Sequence, residues 1–194
     1  TSIGSNSAIC QGQTLTLTST AEGGTGNRTF NWTGPNSFTS NSPNPSIVSA
    51  TPAASGTYTL RVTDANGCYD DTTTTVTVHP TPVVTPTPAT QAVCHNSPTT
   101  AIVFSGAGSY TWTNDNTSIG LAASGSGDIP SFTATNTGNI PVTATITVTP
   151  AGNGCTGTPV TATITVNPIP NVIIDNRSPV LCDDLETNIV LTSD

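Results

Sequence analysis

The sequence predicts an all-β protein built from tandem, disulfide-stapled β-sandwich domains. Segments such as Leu15-Thr16-Leu17-Thr18 and Ile146-Thr147-Val148-Thr149 alternate apolar residues with threonine, which places apolar groups on one face of a strand and hydroxyls on the other. Clusters of Gly, Asn and Pro separate these segments at the short intervals of a sandwich. Two cysteine frames of similar length also follow one another along the chain, so the sandwich is repeated.

The repeat is one small domain long. One frame runs from Cys10 to Cys68 and the next from Cys94 to Cys155, each closes with the tripeptide Asn-Gly-Cys, and a third opens at Cys182. The opening cysteines are 84 and 88 residues apart, which suits one domain rather than one coil of a solenoid. We therefore predict a first domain over residues 1–80, a second over 81–168, and a partial third repeat or donor strand over 169–194.

The first domain has the strand spacing of a β-sandwich. Its strands are predicted near 13–19, 28–33, 45–49, 56–63 and 72–78. Asn66-Gly67 joins the last two, because both residues accept the positive φ of a tight primed turn. Tyr58 is placed like the tyrosine corner of immunoglobulin-like domains, in which the phenol bonds to upstream backbone. Trp32 is predicted to fill the core.

The second domain departs from this plan. Alignment of Ile146 with Leu60 and of Val148 with Val62 puts Ala144 where Tyr58 stands, so the tyrosine corner is missing. The segment 114–129 is rich in Gly, Ser and Asn and predicts a long loop or a weak edge before a strand at 130–135. The Pro-rich joint 80–88 predicts a semi-rigid connection to the first domain.

The cysteines are interpreted as two disulfides, Cys10–Cys68 and Cys94–Cys155, with Cys182 unpaired within this chain. Their spacing matches no compact metal-binding pattern such as Cys-x-x-Cys. Closing the first loop contributes about 4 kcal/mol in the chain-entropy model, which compensates for small cores in a chain with 5% aromatic residues. Reduced core cysteines are the alternative. If the bonds form, the protein resides in an oxidising compartment.

Composition excludes several classes of partner. The net charge is −8, and the three basic residues are all arginines, so no basic stripe exists to neutralise nucleic-acid phosphates. No apolar run approaches the roughly 20 residues needed to span a bilayer. We expect no nucleic-acid partner and no membrane insertion.

No residue pattern predicts catalysis, a cofactor or a metal. His79 and His95 come with neither a nucleophile elbow nor a spaced second ligand. Asp64, Asp70 and Asp71 flank the first hairpin and could hold a hard cation such as Ca²⁺. The alternative, which we favour, is that Asp64 takes a turn position while the other two carboxylates solvate an exposed strand.

The residues resemble a known family of repeats. The second domain, with Tyr110-Thr111-Trp112-Thr113-Asn114-Asp115-Asn116 and Gly154-Cys155-Thr156-Gly157-Thr158-Pro159, resembles the PKD-like repeats of very large Bacteroidota surface adhesins. The first, with Asn31-Trp32-Thr33-Gly34-Pro35 and the stretch 56–68, resembles the immunoglobulin-like repeats of the same proteins. The resemblance implies tandem immunoglobulin-like (PKD-like) sandwiches in an extracellular or cell-surface protein, exported by a type IX route, whose repeats form stalks or filaments for adhesion or gliding.

Glycosylation is expected on some of the hydroxyl-rich surface. Asn27, Asn31 and Asn116 begin N-glycan acceptor tripeptides, while Asp71-Thr72-Thr73 resembles the short O-glycosylation motif of this bacterial group, with Thr72 as acceptor. Such short motifs occur easily in a chain in which roughly one residue in five is threonine.

Three functions are consistent with the sequence. The leading hypothesis is a non-catalytic stalk segment of a bacterial adhesin, whose partners are neighbouring repeats and surface glycans. The second is a self-assembling filament subunit in which residues 171–194 add a strand to another copy. The third is a carbohydrate-binding module of a secreted hydrolase, with Trp32 or Trp112 stacked on sugar; we expect both tryptophans to be core residues instead.

Overall fold

The computed structural model describes residues 1–106, 108–170, 172–174 and 191–193. All regular structure in these ranges is β-strand, apart from two single 3₁₀ turns at Pro52–Ala54 and Thr117–Ile119. The predicted all-β class is confirmed.

The chain forms two compact units. The first comprises Thr1–Val83 together with Pro150–Thr158, and the second comprises Val84–Thr149 together with the residues from Pro159 onward. The first unit is therefore discontinuous in sequence. The domain limits at residues 80 and 168 stay predictions, and most of the partial third repeat, Cys182 included, lies outside the described residues.

The first unit is a β-sandwich. Its strands are β1 (Ser2–Ser5), β2 (Ile9–Cys10), β3 (Leu15–Thr20), β4 (Thr29–Gly34), β5 (Phe38–Ser40), β6 (Ser46–Ile47), β7 (Gly56–Thr63), β8 (Tyr69–Val76) and β9 (Val78–His79), with β16 (Cys155–Thr156) from the later segment. One antiparallel sheet has the order β5-β4-β7-β8 and another the order β1-β3-β6, while β2 pairs in parallel with β9. The five strands predicted for this domain all overlap observed strands.

Alternation explains how this unit buries its core. Every second residue of β7 points inward, and Trp32, Leu60 and Thr72 lie side by side across β4, β7 and β8. Gly34 is required beside this row, because a Cβ at that position would lie 2.4 Å from Tyr58 Cδ1. The buried apolar residues are Ile9, Leu15, Leu17, Trp32, Ala50, Ala54, Tyr58, Leu60, Val62, Val76 and Val78.

The second unit centres on a larger sheet. Its strands are β10 (Val84–Thr87), β11 (Thr90–Cys94), β12 (Val103–Gly106), β13 (Ser109–Asn114), β14 (Ser124–Ser126), β15 (Val142–Gly152) and β17 (Val160–Asn167). The sheet order is β11-β17-β15-β13-β14, with β11 parallel to β17, and β10 pairs separately with β12. The last residues of β15 pair with β16 and belong to the first unit.

Threonine ladders cover the exposed side of the β15–β17 hairpin. Thr143 faces Thr165, and alternate residues such as Ala144, Ile146 and Ile164 are fully buried on the other side. Gly125 on β14 lets Trp112 pack flat, because a Cβ there would lie 2.3 Å from Trp112 Cζ2. The buried apolar residues are Val84, Ile102, Phe104, Trp112, Ile119, Leu121, Ile129, Ala134, Ala144, Ile146, Val148, Ala162, Ile164 and Val166.

The predicted strand at 130–135 is wrong. Thr133 makes only an isolated bridge to Pro98, and Ile129 makes another to Ile102. Pro130 and Pro98 both lack an amide hydrogen, so a continuous ladder cannot form between these segments. The loop predicted at 114–129 does contain one short strand, β14, at the edge of the sheet.

The chain ends in a short strand pair. Strand β18 (Val172–Ile174) pairs antiparallel with β19 (Leu191–Ser193). These two strands are the described part of the segment 171–194.

Candidate functional site

The most distinctive chemical feature of the first unit is a disulfide between Cys10 and Cys155, which are separated by 145 positions in sequence and by 5.7 Å between Cα atoms. Cys10 ends β2 and opens a tight loop, and Cys155 follows the turn at the tip of the β15–β17 hairpin. Both cysteines fall within the first compact unit. The opening segment of the first repeat is thus covalently bound to the closing turn of the second.

Hydrogen bonds hold the opening loop in shape. Gly12 at its centre has φ +89°, a conformation that glycine adopts without strain. The bonds run from Gln11 N to His79 O (2.8 Å), Gly12 N to Ala50 O (2.8 Å), Gln13 N to Cys10 O (3.1 Å), Ala50 N to Gln13 O (2.9 Å) and Cys10 N to Gln13 Oε1 (2.9 Å). No sequence pattern predicted that the Gln13 side chain would accept a hydrogen bond from the Cys10 amide.

The closing turn is equally well defined. Asn153 and Gly154 have φ values of +52° and +75°, as a primed hairpin turn requires. Cys155 pairs with Gly152 across this turn and is only 2% exposed. Gly157, two residues later, approaches Pro82 so closely that a Cβ would lie 1.9 Å from the Pro82 carbonyl oxygen.

The predicted cysteine pairing is corrected by this bond. Neither Cys10–Cys68 nor Cys94–Cys155 is formed, and Cys68 and Cys94 are exposed free thiols. Cys10 lies beside His79, just beyond the end of β8, while Cys68 precedes its first residue. The strand between them spans roughly 30 Å at about 3.4 Å per residue, far beyond disulfide reach.

The second predicted pair fails for the same reason. Cys94 lies opposite Asn167 at the end of β17, while Cys155 stands before the first residue of that strand. Cys94 and Cys155 are therefore at opposite ends of one extended strand. The unpaired state predicted for Cys182 falls outside the described residues.

The two histidines have structural surroundings. His79 is half-buried beside Cys10, where its backbone receives the opening loop. His95 Nδ1 accepts a hydrogen bond from Asn136 N at 2.8 Å, and the buried Asn136 amide donates to the Ile140 and Val166 carbonyls at 2.8 Å each. This bond fixes the loop around His95. The importance of Asn136 could not be seen in the sequence.

The three aspartates of the first hairpin are engaged separately. Asp64 accepts bonds from the amides of Thr25 (3.0 Å), Asn66 (2.9 Å) and Cys68 (3.0 Å), and these, led by Thr25, lower the pKa of its carboxyl. The predicted turn position of Asp64 is thus confirmed.

The neighbouring pair lies on strand β8. Asp71 forms a bidentate ion pair with Arg61, in which Arg61 Nε donates to Asp71 Oδ1 at 2.8 Å and Arg61 Nη2 donates to Asp71 Oδ2 at 2.6 Å. These hydrogen bonds lower the pKa of the Asp71 carboxyl. Asp70 Oδ2 lies 3.2 Å from the Thr1 amino nitrogen. Within the described residues, no group of three His, Cys, Asp or Glu side chains is arranged to hold a metal ion.

Both tryptophans are core residues, as predicted. Trp32 is 0% exposed and Trp112 is 6% exposed, so neither presents a ring face on which a sugar could stack. A shallow cleft of about 180 Å³ in the first unit is lined by residues that include Arg28, Asp64 and Tyr69. This volume is below the roughly 300 Å³ at which small-molecule pockets begin.

The glycosylation candidates differ in accessibility. Asn27 and Asn31 are exposed, whereas Asn116 and Thr72 are half-buried. Asn116 Oδ1 accepts bonds from Ser118 N (3.1 Å) and Ser118 Oγ (2.7 Å). Thr72 faces Leu60 on the core side of its sheet. Asn27 and Asn31 are therefore the better placed of the four.

No helix in the described ranges is long and apolar enough to cross a membrane.

Comparisons with known proteins place the fold. The immunoglobulin-domain family model matches residues 2–78. A structure of the eight N-terminal immunoglobulin domains of the Down syndrome cell adhesion molecule aligns with 87% of this chain at 16% identity and a TM-score of 0.50, and this chain spans 24% of it. Three N-terminal domains of the bacteriophage RB49 outer capsid protein Hoc align with 100% of the chain at 18% identity and a TM-score of 0.41, with 68% of that structure covered. No curated protein sequence matches the chain.

The tyrosine corner agrees with the family match. Tyr58 Oη donates a buried hydrogen bond of 2.9 Å to the Ala54 carbonyl, four residues upstream, as the sequence predicted. The protein is therefore a tandem of immunoglobulin-like β-sandwiches, and its first repeat carries a recognisable immunoglobulin-domain signature.

Proposed function

We propose that this chain is a non-catalytic structural segment of an extracellular bacterial adhesin or filament, in which tandem sandwiches form a stalk that bears tension. The observation that carries the proposal is the Cys10–Cys155 disulfide. It closes a loop that takes in almost all of both repeats.

The bond changes how the chain responds to a pull. Force applied at the two ends passes from Cys10 directly to Cys155, so residues 11–154 carry none of it while the bond is intact. A covalent bypass of this kind keeps the strands between Cys10 and Cys155 from being extended, whereas β17, beyond Cys155, still carries the load. Forced unfolding is governed by the unfolding rate, so the bond limits how much chain a pull can release. It suits a stalk better than a soluble binding module.

Single-molecule pulling from the two chain ends tests this directly. We expect the oxidised chain to lack about 500 Å of extension, since 145 residues at roughly 3.5 Å each stay inside the closed loop. A reducing agent should release this length, and so should Cys10→Ser without reductant. Cys68→Ser, which removes a free thiol, is the matched control and should keep the length hidden. Full extension of the oxidised wild-type chain would refute the proposal.

Compartment and partners belong to the same proposal. A disulfide in a small domain is typical of extracellular proteins, which supports a cell-surface location. Neighbouring repeats and surface glycans are the proposed partners, gliding or attachment the proposed process, and Asn27 and Asn31 the first sites at which to look for attached sugar. A mass spectrum of the native protein that matches the bare chain would remove the glycosylation proposal.

The alternatives gain less support. Both tryptophans are buried, which leaves the carbohydrate-binding hypothesis without its stacking residues. Strands β18 and β19, offered as donor strands for another copy, pair with each other in the structure. A strictly monomeric chain in sedimentation experiments under reducing conditions would argue further against strand addition.

A further inference from the structure

The loop that opens at Cys94 is a second copy of the loop that opens at Cys10. Each cysteine ends a strand that runs parallel to the last strand of its own repeat, with Cys10 opposite His79 and Cys94 opposite Asn167. His79 and Asn167 hold the same place in the two Pro-x-Pro joints, at 78–82 and 166–170. The two cysteines therefore occupy equivalent positions in the fold.

The backbone bonds of the two loops agree one by one. In the second loop they run from His95 N to Asn167 O (2.9 Å), Asn96 N to Ala134 O (2.8 Å), Ser97 N to Cys94 O (3.1 Å) and Ala134 N to Ser97 O (2.9 Å). The four backbone bonds of the Cys10–Gln13 loop have the same pattern, with Ala50 in place of Ala134. Asn96 has φ +62°, where the first loop has Gly12 at +89°. Cys94 is thus held in the same loop geometry as Cys10.

The closing turns share the Asn-Gly-Cys tripeptide and a left-handed glycine, since Gly67 has φ +85° and Gly154 φ +75°. Their loop lengths differ: Gly152 pairs directly with Cys155, whereas Asp64 N donates to Cys68 O (2.9 Å) across a three-residue loop in which Asn66 does not have a positive φ. Each turn caps the hairpin formed by the two long strands at the end of its repeat, β7–β8 in one and β15–β17 in the other. Cys68 is exposed at its tip.

The observed disulfide joins the opening loop of one repeat to the closing turn of the next repeat along the chain. Cys10 opens the first repeat and Cys155 closes the second. This leaves one loop cysteine, Cys94, and one turn cysteine, Cys68, both as exposed free thiols. Cys94 and Cys68 are thus a loop cysteine and a turn cysteine, the same two kinds of position that Cys10 and Cys155 occupy in the observed disulfide.

We propose that Cys94 is a cross-linking site for the Asn-Gly-Cys turn of a further repeat, and that Cys68 is the corresponding turn for the opening loop of another. When only this chain is present, a second copy of it supplies both partners, because it has a free turn cysteine and a free loop cysteine. Cys68 of one copy then bonds to Cys94 of the other. The proposal goes beyond the stalk function and does not depend on it, because it concerns which sulfur atoms bond.

The chemistry requires a small disulfide as oxidant, such as oxidised glutathione. The Cys94 thiolate attacks one glutathione sulfur, which releases one glutathione thiolate and leaves a mixed disulfide. The Cys68 thiolate then attacks the Cys94 sulfur and displaces the second glutathione. Two cysteine thiols lose two protons and two electrons, and one glutathione disulfide is reduced to two thiols.

Two variants of the whole chain test the proposal, because each lacks one of the two cysteines of the proposed bond and so cannot form that bond with a copy of itself. One carries Cys68→Ser and Cys182→Ser, so its free thiol is Cys94; the other carries Cys94→Ser and Cys182→Ser, so its free thiol is Cys68. The two are mixed in equal amounts in a glutathione redox buffer. Non-reducing electrophoresis and mass spectrometry of the cross-linked peptides then count the three dimers.

We expect the Cys94–Cys68 dimer to exceed the two homodimers together by about tenfold, where random pairing gives equal amounts. A matched control moves the free thiol from position 94 to position 92 on the same strand, in a variant with Cys68→Ser, Cys94→Ser, Cys182→Ser and Ala92→Cys. Mixed with the variant whose free thiol is Cys68, it should show random pairing. Unchanged thermal unfolding midpoints establish that the serine variants are folded. Random pairing of the Cys94 and Cys68 variants, or a majority of homodimers, would overturn the proposal.

Discussion

At the scale of single residues, Tyr58 shows how one side chain ties sequence to fold. Its ring packs edge-on against Phe38 at a centroid distance of 5.5 Å and covers Gly34, where no Cβ could fit. Its hydroxyl is buried and bonded to Ala54 O. Burial raises the pKa of this phenol, so the neutral form that donates the bond is favoured.

We predict that Tyr58→Phe lowers the free energy of unfolding by about 1 kcal/mol, because the ring still packs but the Ala54 carbonyl loses its buried partner. Urea unfolding at neutral pH measures the difference. Tyr69→Phe is the matched control, since Tyr69 is 63% exposed. Equal losses from both substitutions would contradict the role assigned to the hydrogen bond.

At the scale of elements, the first hairpin depends on the carboxylate of Asp64, which collects three amides from its own turn and from Thr25. These bonds, with that from Thr25 the largest, lower the pKa of Asp64 in the folded chain. A carboxyl whose folded pKa is lowered stabilises the fold above its unfolded pKa, and this stabilisation is lost as the pH falls through the folded pKa.

We therefore expect Asp64→Asn to lower the urea midpoint at pH 6 and to have progressively less effect as the pH falls through the folded pKa of Asp64, because the wild-type carboxylate is then neutralised. Urea unfolding at a series of pH values measures the convergence. Glu22→Gln, at an exposed carboxylate, controls for the change in net charge. A gap between the Asp64 variant and the wild type that widens as the pH falls from 6 into the acid range would argue against the proposed titration.

Elements with a strong local period could be predicted from the sequence, whereas elements that depend on distant partners could not. The strands around Leu15, Trp32 and Tyr58 follow from alternation, because the buried face needs an apolar residue at every second position. The segment 130–135 also alternates, yet its partner offers Pro98 where a strand would need a donor. The candidate site divides in the same way. The hairpin at Asn66-Gly67 was predicted from its dipeptide, but the predicted primed turn is wrong, since Gly67 has a positive φ and Asn66 does not. The supporting roles of Gln13 and Asn136 required the folded chain.

At the scale of the whole molecule, the cysteine connectivity is what the sequence could not predict. The repeat register made each frame look self-contained, but several pairings of a few cysteines are consistent with any spacing. The distance along a strand excludes the predicted pairings, because Cys68 and Cys10 lie at opposite ends of one strand, as do Cys94 and Cys155.

The double variant Cys10→Ser, Cys155→Ser is predicted to lower the free energy of unfolding by about 5 kcal/mol, the chain-entropy value for a closed loop of this length. Guanidinium unfolding under non-reducing conditions measures the loss. Wild-type protein in reductant should lose the same amount, and the exposed Cys68→Ser control should lose almost nothing. If reductant leaves the wild-type midpoint unchanged, the disulfide does not stabilise the fold.

The discontinuity of the first unit has a consequence for the order in which the protein is made. Chains emerge from the ribosome, and generally fold, from the N-terminus onward, yet the first unit includes residues 150–158 and cannot be completed until most of the second repeat has followed. During that interval Cys10 is a free thiol in the presence of Cys68 and Cys94, both of which emerge before its true partner. We therefore expect the Cys10–Cys155 bond to form only after the second repeat has been made, either because oxidation is delayed or because earlier bonds rearrange by thiol–disulfide exchange, so that neighbouring repeats mature together.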